Sequence, residues 1–142
     1  MIEDGPFKGF EVVNTYTRAE AIADGTLVDV SDTARKMGFK FPVALSAAVW
    51  HDVAQWTDYD DAKQGGAGQS TEGRLRDLLL MGFQAIKRAP RGGGLSRLEF
   101  SMLRVPRDGQ SAKPTLVEHL ILHCGPGDNL EPVLTIMFPD DD

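Results

Sequence analysis

The chain has 142 residues, 42% hydrophobic and 25% charged, with a formal net charge of −6 and a pI near 5.0. That length fits one domain able to bury about two thirds of its unfolded surface, and the acidic balance argues against binding nucleic acid by neutralising phosphates. A lone cysteine, Cys124, excludes an intramolecular disulfide and a multi-cysteine zinc site; with no basic, apolar leader and no run of about eighteen apolar residues, the expectation is a cytoplasmic protein without a membrane span.

From Tyr16 to Gly25 the chain reads as a capped two-turn helix. Thr17 and Glu20 have capping-box spacing, and Gly25 can take the left-handed conformation that closes the helix. Leu27–Val30 follows as a short strand. A second unit repeats the pattern, with Ser31 as cap, a turn over Ala34–Met37 and Gly38 as stop. Phe39–Leu45 is apolar but contains Pro42, which predicts an edge strand or extended entry rather than a central strand. Ser46 then caps a helix to about Trp56, with Val49, Val53 and Trp56 on one face. Asp58–Gln69 is polar and glycine-rich, which predicts a flexible loop.

Ser70 opens the longest helix, Thr71 to about Ala89, with Glu72 in its first turn and Lys87 and Arg88 in its last, matching the helix dipole. Leu75, Leu78, Leu79, Gly82, Phe83 and Ile86 form its apolar stripe, and Gly82 predicts a close packing contact. Gly92–Gly94 ends it. Beyond lie three predicted strands: Leu98–Val105 with a parity slip at Leu103 that indicates a bulge or a strand covered on both faces, Leu116–Cys124, and Val133–Phe138. Arg107–Gln110 carries an Asp-Gly hairpin signal and Gly125–Asn129 a turn. The fold expected is α+β: a three-stranded antiparallel C-terminal meander packed against a long helix, with short helices and extended segments in the N-terminal half. One domain covers residues 1–139, and Asp140–Asp142 is an acidic, solvated tail.

No motif declares a chemistry. His119 and His123 lie four apart in a predicted strand, about 13 Å, too far to share one ion in regular extended backbone; they read as two half-exposed histidines on the parity of Val117 and Ile121. Cys124 reads as a buried residue extending the apolar face of Leu120 and Leu122, with a strand-end nucleophile as the alternative. The glycine runs at 65–68 and 92–94 lack the lysine of a phosphate loop and the strand–helix context of a dinucleotide fingerprint. Asp58, Asp60 and Asp61 surround Tyr59 without the ligand pattern of a calcium loop. With Trp56 at the end of the preceding helix they form the candidate protein-binding site: an acidic loop beside an aromatic anchor. Arg88, Arg91, Arg97, Arg104 and Arg107, with Lys87, make a candidate basic stripe. No catalytic residue, metal ligand or cofactor is assigned.

Several runs resemble one small bacterial family: Tyr16–Val30, Gly38–Trp50, Gly73–Leu79, Leu103–Arg107, His123–Asp128 and Glu131–Met137. It is an uncharacterised domain family of unknown function carried by plasmids, phages and integrating elements. The resemblance extends from Tyr16 to the end and implies no activity, cofactor or site residue. The context it implies is that of small acidic proteins that bind host machinery. The function expected is therefore a non-enzymatic protein-binding accessory protein of a mobile element, an inhibitor of host restriction or CRISPR defence, with a host protein as partner. Two alternatives remain. One is a small enzyme resembling an ADP-ribosyltransferase, which would gather Tyr16, Arg18 and a carboxylate such as Glu99 or Glu118 in a pocket. The other is a structural homodimer or accessory subunit that buries the edge of the final strand.

Overall fold

The computed structural model describes residues 16–64, 68–89, 96–109 and 113–141. The first helix, α1 (Arg18–Asp24), has the expected box: the Thr17 hydroxyl accepts from Glu20 N–H, the Glu20 carboxylate accepts from Thr17 N–H, and Gly25 closes it at φ 86°. After β1 (Leu27–Asp29), α2 (Ser31–Lys36) ends at Gly38, φ 106°. Ser31 is not the cap expected. It is the first helical residue, and its hydroxyl joins Asp29 to the backbone N–H of Val43.

That link leads into β2 (Val43–Ser46), where the expectation of an edge or entry segment fails. All four residues are buried, and β2 lies between two neighbours. Pro42 sits just before the strand, so its missing N–H removes no rung, while its carbonyl accepts from Leu134 N–H. The remaining strands are β3 (Arg97–Arg104), β4 (Thr115–Pro126) and β5 (Pro132–Met137). Their antiparallel succession is not a free-standing three-stranded meander. It continues into one mixed five-stranded sheet of order β1-β2-β5-β4-β3, with β2 parallel to β5 and β1 antiparallel to β2. The α+β class stands. The parallel pair requires the long crossover from Ala47 to Glu131, which carries the other helices.

Ser46 does cap a helix, its hydroxyl accepting from Val49 N–H. The segment begins as α3 (Ala47–Val49) and widens into a π-helix over Trp50–Ala54, with Val49 and Val53 fully buried. The flexible loop expected at 58–69 contains α4 (Asp58–Lys63); the glycine run at 65–67, like Gly92–Gly94, lies outside the described residues. Helix α5 (Thr71–Arg88) is capped by Ser70 as expected. It covers the face on which Leu98, Leu122, Ile136, Leu45 and Val28 stand in register. A methyl group at Gly82 would sit 3.3 Å from Leu122 Cδ1 and 3.6 Å from Ile136 Cδ1, which explains a glycine in mid-helix.

The bulge lies opposite the expected strand. Phe100 pairs with Leu120 and Met102 with Val117, so Glu118 and His119 together face Ser101. This resets the parity of β4: Val117 is buried on the helix side, and His119 is not on its face as expected. At the C-terminus, Pro139–Asp141 forms a 3₁₀ turn. Within the expected solvated tail, the Asp141 carboxylate accepts from the Ser46 hydroxyl at 2.7 Å and from Phe138 N–H at 2.9 Å.

Candidate functional site

The densest polar structure joins the π-helix, α4, the start of α5 and the end of β3. The C-terminal turn of a helix leaves carbonyls without intrahelical partners, and here arginines take those of His51 and Asp52. Arg74, on the first turn of α5 and only 4% exposed, donates from Nη2 to Asp52 O at 3.0 Å and from Nη1 to Val105 O at 2.8 Å. Arg107 donates from Nη1 to His51 O at 2.5 Å. Two aspartates balance the charge: Arg104 Nε reaches Asp52 at 2.6 Å and Arg107 Nε reaches Asp60 at 2.7 Å. Burial, reinforced by the nearby cations Arg104 and Arg107, lowers the Arg74 pKa to about 10. The Arg74 guanidinium also lies 4.9 Å from the centre of the Trp56 ring.

Asp60 is the hinge of this network. It is 3% exposed and serves α4 as the third helical residue of a capping box, accepting from Thr57 N–H at 2.8 Å while the Thr57 hydroxyl accepts from Asp60 N–H. Burial would raise its pKa; the hydrogen bonds from Thr57 and the Arg107 guanidinium outweigh that and leave it lowered. Two further bonds clasp α4 to the chain after β3, from Lys63 Nζ to Arg107 O and from Gln64 Nε2 to Pro106 O, both 2.9 Å. Thr57-x-x-Asp60 was the legible signal for this helix; the glycines that follow obscure it.

The site residues read from the sequence are thus separated in role. Trp56 is 8% exposed, its indole N–H directed at Asp61 at 3.3 Å, so the ring is a packing residue and not a displayed anchor. Asp60 is an internal ion-pair partner. Asp58 is exposed on α4 and Asp61 half-buried against Trp56, and the aromatic displayed beside them is Tyr59, 72% exposed, with Lys63 Nζ 4.8 Å from its ring centre. Beside them an open groove of about 470 Å³ runs between α4 and the start of α5, lined by Trp56, Thr57, Asp58, Asp61, Gln69 and Ser70.

The basic stripe does not form along the described residues. Arg104 and Arg107 turn inward to Asp52 and Asp60, Arg97 lies seven residues away at the other end of β3, about 23 Å along a strand, Arg88 ends α5, and Arg91 is outside the described residues. Nor are Tyr16, Arg18 and the carboxylates gathered. Tyr16 bonds Asp24 and Thr26; the Arg18 guanidinium holds Thr135 and Leu134 O on β5, and its backbone N–H donates to Asp128; Glu99 bonds His119 on β4.

His123 stands in register between Arg97 and Thr135, while Cys124, on the other face, packs half-buried against the core. The bond to Glu99 and its charge raise the pKa of His119 above 6.5. A raised value means that this contact supports the fold below the unfolded pKa and loses its contribution as pH rises through the folded one. NMR titration should show His119 titrating above the ordinary histidine value, and Glu99→Gln should bring it down; an unchanged His119 would remove Glu99 as the cause.

Among the described residues no helix is long and apolar enough to cross a membrane. Comparison with curated proteins and with solved structures finds no match to the chain. A family model matches residues 4–142, nearly the whole length, and the chain belongs to that family, described as a Family of unknown function (DUF6573).

Proposed function

We propose that this protein is a non-enzymatic protein-binding module, docking on a basic surface of its partner through the α4 face. The observation that carries the reading is Tyr59, a large aromatic held 72% exposed on a helix whose underside is fixed by the Asp60–Arg107 ion pair. Rigid, amphipathic side chains lose little entropy on docking and supply much of the energy at protein interfaces. Asp58 and Asp61 flank it, and the adjoining groove gives a concave surface for a partner side chain. The acidic net charge favours encounter with a basic partner.

The finer reading rests on the family resemblance noted in the sequence. On that reading we propose a protein of a bacterial mobile element that acts in the cytoplasm on a host protein, with a restriction or CRISPR component as the partner class. Binding should weaken as salt rises, and Asp58→Asn with Asp61→Asn should weaken it about tenfold and flatten that salt dependence. Titration of the purified partner by calorimetry at two ionic strengths checks this; affinity unchanged by both substitutions would remove α4 from the interface.

A further inference from the structure

Strand β3 ends the described sheet on one side, and no described strand pairs with its outer edge. The opposite edge, β1, is three residues long; β3 has eight. Cys124 N–H donates to Ser96 O at 2.7 Å, so Ser96 exchanges bonds with β4, as do Leu98 and Phe100 by alternation. The backbone N–H and C=O of Glu99 therefore point away from the sheet. A long edge of this kind is a template for another strand. Above it, two open grooves of about 420 and 430 Å³ share Met81 and Ser101 and so run together between α5 and β3. Leu80, Leu103 and Leu116 line one of them at 45%, 60% and 54% exposure.

The charges name the occupant. Asp77 and Arg88, both exposed, mark the two ends of this grooved face of α5, and neither has an ion-pair partner among the described residues. They are eleven residues apart, about 16 Å along the helix. Asp77 shares its groove with Met102 and Leu103, and Arg88 shares the other with Leu98 and Glu99, so the two charges stand on either side of Phe100 along β3. An axis normal to the sheet beside Phe100 therefore passes between the Asp77 and Arg88 ends of this face. A two-fold on that axis sets Phe100 against the partner's Phe100, Leu98 against the partner's Met102, and Glu99 against the partner's Ser101. It brings Asp77 of each copy toward the partner's Arg88. Moving the axis to Glu99 would oppose two carboxylates, which is unfavourable.

We infer that two copies of this chain pair antiparallel through β3, forming one continuous ten-stranded sheet with both α5 helices on the same face. This dimer stands apart from the α4 docking reading, and either can fail alone. Size-exclusion chromatography with light scattering should give twice the 15.5 kDa chain mass. Asp77→Arg, at an exposed position, should weaken dimerisation about tenfold without altering the far-ultraviolet spectrum, because two pairs are lost and like charges meet. Adding Arg88→Asp should restore it. A wild-type chain that runs at single-chain mass through the micromolar range, a dimer indifferent to Asp77→Arg, or a folded double variant that stays monomeric would each overturn the proposal.

Discussion

Asp60→Ala is expected to lower the unfolding free energy by about 3 kcal/mol, the lower end for removing one partner of a buried ion pair. The low end applies because the side chain of Arg107 is 25% exposed and keeps its bond to His51 O, whereas that of Asp60 is 4% exposed. The substitution also removes the acceptor for Thr57 N–H, so α4 loses half of its capping box and should fray first. The pH dependence has a definite sign. With its folded pKa lowered, Asp60 stabilises the protein above the unfolded carboxylate value, and that contribution is lost as pH falls through the folded one. Urea unfolding of both proteins should therefore show a large gap near neutral pH that closes in acid. A gap below 1 kcal/mol at neutral pH would show that the network does not hold α4.

Leu45→Ala is expected to cost about 3 kcal/mol, from lost transfer energy plus the cavity left behind. Leu45 is fully buried, in register with Val28 on one side and Ile136 on the other. An extended entry segment at this position would lose far less. Leu130→Ala provides the control at a position 83% exposed and should lie within about 0.5 kcal/mol of wild type. Equal small effects for both would contradict the placement of β2 inside the sheet.

These two positions show how far the sequence could be read. Short-range rules were sufficient for α1 and α5: Thr17 with Glu20, Gly25, and Ser70 before an apolar stripe each act within a few residues. Long-range facts were not available from them. Val43–Ser46 is a central strand because Leu134 and Ile136, some ninety residues away, pair with it, and no local pattern encodes a parallel partner. Pro42 pointed to an edge only on the assumption that it lay within the strand. For the site, the acidic run was visible but its inward and outward members were not. Arg107 selects Asp60 for the interior, and Arg74 covers the Trp56 ring, leaving Tyr59 to be displayed. Composition along α4 alone carries no trace of those two arginines.

The most direct test of the docking reading is quantitative capture from host lysate with wild-type protein and Tyr59→Ala in parallel, followed by titration of whatever the wild type retains. Tyr59 is exposed, so both proteins should melt alike. The account predicts one saturable partner with a basic contact surface, held at least about thirty-fold more weakly by Tyr59→Ala, the loss expected for an interface anchor worth about 2 kcal/mol. Equal affinity for both proteins, or no saturable partner for the wild type, would contradict it.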